Sequence, residues 1–316
     1  MEVNSFMEWR KSELKKIIFM LMVLIAGTVH GENITYKKNK KILTSIQSVY
    51  SIAKSLTKDT DIEVYSIFDS DVSMDYGKSA FVNKDLDLSS AKDAVAVVDV
   101  AKVWSNDYLY EYARRKNIRI VEIDASYSFS GNDYLSLSLL NYKNGDRNPY
   151  VWMSFQNVIK MANIAADDLS ELFPEDSKKI EDNLEKFSQE IKKIENEYLE
   201  KTLALSSLSV ITLTENLDYL FNDLNIFFNY VDSNELTVEK ISEVMKRNNS
   251  KIFVSDRWIK KEIINEIEKK GGKFIVLDTF NIPRELNEKM DPDGYLKGMK
   301  ENMEKLVEAM KIMDKK

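Results

Sequence analysis

The side chains available for chemistry in this chain are almost all oxygen donors. Of its 316 residues one is histidine and none is cysteine. That histidine, His30, lies in a segment that reads as a removable leader, so the remainder offers neither imidazole nor thiol. Nucleophilic sites of the Ser-His-Asp and Cys-His kinds need an imidazole to move the proton and are excluded. Zinc sites built from cysteine and histidine are excluded as well. Carboxylates and phenols remain: Asp71, Asp75, Tyr76, Tyr150, Glu215 and Asp278 are hard donors that suit manganese, iron, calcium or magnesium better than zinc. A second chemistry is recognition of an organic molecule or metal chelate, with Trp104, Trp152, Trp258, Tyr76 and Tyr150 as walls and Asp278 and Arg257 as polar anchors. The same aromatics also suit a protein core. Signals for catalysis are thin. Asp69 and Asp71 are a carboxylate pair indistinguishable from solvated loop charges. Gly77-Lys78-Ser79 ends like a phosphate loop, but Val72 stands where the first glycine of such a loop is required. No enzyme is expected.

The N-terminus carries the marks of export. Arg10, Lys11, Lys15 and Lys16 precede an apolar run, Ile17 to Ala26, and small residues follow up to Gly31. Basic, short apolar, then small is the order of a secretory signal peptide. Residues 1–31 are assigned to it, with cleavage near Gly31; retention as an anchor is the alternative, though the run is shorter than the roughly 20 apolar residues that span a bilayer. The location implied is periplasmic or extracellular. Without cysteine there is no lipid attachment and no disulfide, so packed cores must supply stability. A formal charge of −7 with no basic stripe argues against a nucleic-acid partner.

Past residue 40 the pattern alternates. Strand-like runs at Lys41–Ile46, Ile62–Phe68, Ala94–Val98 and Ile118–Ile123 are interleaved with helical spacing at Val49–Leu56 and Trp104–Lys116. This is the logic of a mostly parallel sheet with flanking helices. A helix follows from about Asn157. Ile180, Leu184, Phe187, Ile191, Ile194 and Tyr198 then recur at steps of four and three, which predicts one long helix after Pro174. The alternation resumes with strands at Ser209–Thr212, Ile226–Val231, Lys251–Val254 and Lys273–Leu277. Helices are expected at Asn216–Leu224, Val238–Arg247, Ile259–Lys269 and Tyr295–Met313. The fold class is α/β: two similar lobes of mostly parallel sheet (41–175 and 205–316) joined by a long interlobe helix (176–204), with a cleft at the carboxyl ends of the strands.

Several strings in this order resemble the solute-binding proteins of zinc and manganese ABC importers, over about Lys41 to Met313. Asn148-Pro149-Tyr150-Val151-Trp152 resembles the family's Asp-Pro-His-Val-Trp stretch, whose histidine binds metal. Pro174-Glu175-Asp176 and the helix after it resemble the family's rigid interlobe helix. Phe274 to Asp278 resembles the strand that ends in an aspartate ligand, and Asp293-Gly294-Tyr295-Leu296 the start of the C-terminal helix. The resemblance implies a ligand set of Met74, Tyr150, Thr214 (or the adjacent Glu215) and Asp278. Only Asp278 keeps the family's ligand type, and Ser126–Arg147 replaces the family's histidine-rich loop. It also implies a monomer that catalyses nothing, holds one divalent or trivalent metal ion or a metal-containing or small ligand between its lobes, and hands it to an ABC permease and ATPase. With the imidazoles replaced, zinc is disfavoured. A non-transport accessory or interaction protein on the same scaffold is the alternative.

Overall fold

A computed structural model of the chain describes residues 40–68, 79, 81, 88–128, 133–287 and 289–314. The leader and the loop carrying Asp71, Met74, Asp75 and Tyr76 lie outside these residues. Two four-stranded sheets dominate. The first contains β1 (Lys41–Thr44), β2 (Glu63–Ser66), β3 (Ala96–Asp99) and β4 (Val121–Asp124), all parallel in the order β2-β1-β3-β4, with α1 (Gln47–Leu56) and α2 (Leu109–Lys116) as crossovers. The central strands are apolar on both faces because helices cover both: Ile42, Leu43, Ala96, Val97 and Val98 are fully buried. The helical spacing from Trp104 is realised only from Leu109, because Trp104 to Asp107 form turns and Asp107 Oδ1 accepts from Leu109 N–H. Ile118 stays exposed and the last strand starts at Val121.

Two long helices follow. In α3 (Phe155–Leu172) the Ser154 hydroxyl caps the first turn by accepting from Asn157 N–H at 3.1 Å. In α4 (Ser177–Thr202) the periodic residues Ile180, Phe187, Ile191, Ile194 and Tyr198 are buried along one face. At 26 residues α4 is about 39 Å long. Asp176, at the N-terminal end of α4, holds Lys40 Nζ at 2.6 Å, pinning the start of β1 to the head of α4.

The second sheet repeats the first: β5 (Ser209–Thr212), β6 (Phe227–Tyr230), β7 (Ile252–Ser255) and β8 (Lys273–Val276), all parallel, in the order β6-β5-β7-β8. The crossovers are α5 (Asp218–Asp223), α6 (Ile241–Asn248) and α7 (Lys261–Lys269). The helix expected from Val238 begins as a short 3-10 turn and becomes α-helical at Ile241. Strand alternation divides the packing. Val210, Val254 and Ile275 join a core that runs without interruption into the first sheet, while Ile211, Phe253 and Phe274 face an outer cluster with Ile241, Ile263 and Ile267.

After β8 the chain returns to the first sheet. A small antiparallel pair, β9 (Glu285–Leu286) and β10 (Lys289–Met290), leads into α8 (Gly294–Asp314), which packs on α1, α4 and β8. The Gln47 amide, fully buried, donates to Asp291 O at 2.8 Å and accepts from Arg284 N–H at 2.8 Å. A Cβ at residue 294 would lie 2.7 Å from Gln47 Nε2, so any larger residue there has to displace this hydrogen-bonded amide. Tyr295 OH donates to Trp152 O at 2.6 Å, and Trp152 Nε1 donates to Thr279 O at 3.0 Å. Among the described residues no helix is long and apolar enough to cross a membrane. Because Phe187 fills the common core from α4, Phe187→Ala is expected to cost about 3–5 kcal/mol, read as a lower urea midpoint with an unchanged slope.

Candidate functional site

The carboxyl ends of the strands open into two neighbouring hollows. One, of about 590 Å³, lies between the sheets: Val103 to Asn106, which follow β3, form one wall, and Tyr142, Arg147, Tyr150 and Asn216 the other. The second, of about 790 Å³, lies within the second lobe, beyond the ends of β5, β6 and β7. The chain steps from β5 outward to β6 and then back past it to β7, so this hollow sits where strand order reverses, the usual ligand crevice of an open parallel sheet.

A strap, residues 140–148, divides them. It is closed on itself by the Asn141–Arg147 bridge and laid across the second lobe. Leu140 N–H donates to Tyr219 OH at 2.8 Å, and Tyr219 OH donates to Asn148 O at 3.1 Å. Asn148 Nδ2 donates to Glu215 O at 2.8 Å, and Lys143 N–H to Glu215 Oε2 at 3.0 Å. Tyr142 OH donates to Asn216 Oδ1 at 2.8 Å, and Asn216 Nδ2 to Asp256 Oδ2 at 2.7 Å. Burial, with Tyr150 and nearby carboxylates, pushes the Tyr142 phenol up, so it stays a proton donor. Tyr142 and Asn216 line both hollows and form the partition.

The first-lobe wall rests on three buried carboxylates. Asp99 and Asp124 end adjacent strands as a paired register, and Asp107 closes the loop after β3. Lys102 N–H donates to Asp124 Oδ2 at 2.7 Å, and Ser45 Oγ to Asp107 Oδ2 at 2.6 Å. Asp99 Oδ2 is buried without a hydrogen-bond partner. Burial first, then the neighbouring carboxylates, raises Asp99 well above the ordinary range, and burial raises Asp107 to about 6 against its hydrogen bonds. In the second lobe Asp218 is raised to about 7 by burial and by Glu215, and its Oδ1 is also buried and unpartnered.

The candidates named from sequence are distributed over these features. Tyr150 is 5% exposed, packs at a tilt against Trp152 with ring centres 5.4 Å apart, and lines the interlobe hollow. Thr214 and Glu215 line the second-lobe hollow. The Thr214 hydroxyl caps a turn by accepting from Asn216 N–H, and Glu215 is taken up by the strap. Asp278 lines neither hollow. Its backbone is clamped both ways by the Asn302 amide, while its carboxylate accepts from Phe280 N–H and pairs with Arg284 Nη1 at 3.2 Å. Burial pushes the Asp278 carboxyl up, with Phe280 and Arg284 acting against it. Met74 is outside the described residues; of the others, Thr214 and Glu215 line one hollow, Tyr150 the other, and Asp278 neither. Among the described residues no three His, Cys, Asp or Glu side chains are grouped to hold a metal ion. Of the aromatics, Trp152 is core, Trp104 is buried under the interlobe hollow, and Trp258 is 76% exposed beside Arg257 on the second hollow. Sequence reasoning missed Tyr142 and Asn216, and it quoted Asn148 only as part of the string around Tyr150. It also passed over Asp99, Asp107 and Asp124, each an acid at or just past the end of an apolar strand or turn.

The family model described as "Zinc-uptake complex component A periplasmic" matches residues 42–309. The chain belongs to this family. Its members are periplasmic solute-binding components of metal ABC importers. Solved structures agree in fold at low identity. ZnuA is 18% identical, with 85% of this chain and 98% of that one covered and a TM-score of 0.64. FpvC from Pseudomonas aeruginosa in complex with Mn2+ is 17% identical, with 87% and 99% covered and a TM-score of 0.65. Zn(II)-bound AdcA from Streptococcus pneumoniae is 19% identical, with 86% and 58% covered and a TM-score of 0.65. No curated protein sequence matches the chain.

The buried carboxylates set the response to pH. Asp107 keeps its proton to about pH 6 when folded, whereas an unfolded aspartate loses it near 3.9. Between these values the folded chain binds more protons, so this contribution is fully present below about pH 4 and is lost as pH rises through about 6. Melting temperature is therefore expected to rise on acidification from pH 7 toward 5. Asp107→Asn should flatten that rise, by on the order of 1–3 kcal/mol across the window; thermal unfolding at several pH values checks it.

Proposed function

We propose that the chain is the extracytoplasmic solute-binding component of a metal-type ABC importer, holding a metal ion or a metal-containing or small ligand in the cleft between its lobes. It delivers this solute to a membrane permease served by an ATPase, as a monomer, and catalyses nothing. The observation that carries the reading is family membership across 42–309, in a chain whose two sheets present their carboxyl ends to one hollow. The lobes are taken as 41–175 and 205–316, with 176–204 as the helix between them, and 1–31 as the export signal.

Met74, Tyr150, Thr214 or Glu215, and Asp278 are the residues proposed to meet the solute. Their chemistry favours a hard cation over zinc, because thioether, phenol, hydroxyl and carboxylate replace imidazole. The carboxylates are already engaged, Asp278 by Arg284 and Glu215 by the strap. An ion claiming Asp278 has to compete with a guanidinium. That engagement favours the second reading, an accessory or interaction protein on the importer scaffold whose metal site has been lost.

Thermal shift with zinc, manganese, iron(III) and calcium separates the two. A ligand bound only by the native state stabilises it by about 2.7 kcal/mol at a hundred times its dissociation constant. At least one hard cation is expected to raise the melting temperature, and Asp278→Ala to abolish the increment, measured against that variant's own unliganded midpoint. If none of the four metals moves the midpoint, metal delivery fails and the accessory reading stands. If Asp278→Ala leaves the increment intact, the residue placement is wrong.

A further inference from the structure

The second-lobe hollow is separate from the interlobe one and has its own chemistry. At about 790 Å³ it has the size of a pocket for an organic molecule, far more than an ion needs. Its rim holds Trp258, whose indole is 76% exposed and rests against Phe274 with ring centres 5.9 Å apart. Tyr230, half-buried at the end of β6, supplies a second ring. The charges lining the hollow do not cancel. Asp256 and Arg257 pair with each other, which leaves Glu215, Glu239 and Glu262 against Lys260. Two aromatic faces with an excess of carboxylates make an environment that attracts a cation carried on an organic frame: the ring quadrupoles and the acids act in the same sense.

A cation already stands on one of these rings. Lys143, from the strap, places its ammonium 4.1 Å from the centre of the Tyr230 ring, while its backbone N–H is held by Glu215 Oε2. Both contacts are to residues that line the hollow. The strap thus holds an alkylammonium against a ring that also lines the hollow.

We propose that the second-lobe hollow is a binding site for an organic ammonium compound, recognised by Trp258, Tyr230 and the excess of carboxylates lining it, and that Lys143 is its built-in competitor. A solute bound there displaces the Lys143 side chain from Tyr230 and loosens the strap at the partition between the hollows. The site shares Glu215 with the residues proposed to meet the transported solute but uses none of Tyr150, Met74 or Asp278.

The test is titration of the full chain with choline and with its uncharged isostere 3,3-dimethylbutan-1-ol, followed by calorimetry and tryptophan fluorescence. Choline is expected to bind saturably and the neutral compound at least about fivefold more weakly. Lys143→Met should tighten choline binding about fivefold by removing the competing cation, and Trp258→Ala should weaken it by a similar factor. Both positions are exposed, so unchanged melting temperatures separate these effects from misfolding. Absence of choline binding to both the wild type and Lys143→Met, equal affinity for the two compounds, or indifference to both substitutions overturns the proposal. Tyr150→Phe, in the other hollow, should leave choline affinity unchanged; a loss there would put the compound in the interlobe hollow and overturn it as well.

Discussion

The amide of Gln47 is fully buried, and every one of its polar atoms must find a partner or the fold forfeits the desolvation cost. Those partners lie about 240 residues further on: Asp291 O, Arg284 N–H and, within its own helix, Ser51 Oγ. In the folded state the first turn of α1 is thereby tied to the segment that follows the second sheet. The chain around it is shaped to permit this. Gly294 gives up its side chain to let the amide in, Tyr295 reaches past it to Trp152, and Trp152 closes the circuit on Thr279. Around that polar knot the apolar core runs from one sheet into the other, with α4 and α8 spanning the two.

The strap uses backbone N–H groups and two asparagines to fasten itself, and in doing so it takes up Glu215, one of the few acids in reach of a solute. The carboxylates under the loop after β3 play the reverse part. They are withheld from solvent to brace the wall, and their raised proton affinity follows from that burial.

Most of the architecture could be read from residue order. Parallel strands buried on both faces need continuous apolar runs, and β5 was delimited to the residue by its Ser-Val-Ile-Thr string. The face of α4 followed from the four-and-three spacing of its buried residues. Boundaries slipped where a local hydrogen bond outweighed periodicity: Ser154 started α3 before Asn157, and Asp107 delayed α2 until Leu109. The return of α8 onto α1 was not legible, because it depends on a buried amide meeting backbone groups in a distant segment. Positions near the site were legible in outline only. Asp278 and Glu215 are acids near strand ends, as the pattern implied, but pattern says nothing of the guanidinium and the strap that engage them.

The continuous core also bears on how such a molecule could report that it is loaded. Two domains on a hinge announce a ligand by changing shape, and a partner can sense the altered outline. A body welded through one core has no such gesture. Filled and empty forms would present a membrane partner with the same silhouette and differ only in a few side chains at the rim. Recognition of cargo would then be a matter of touch at close range, settled by whether one short strap lies flat or stands proud.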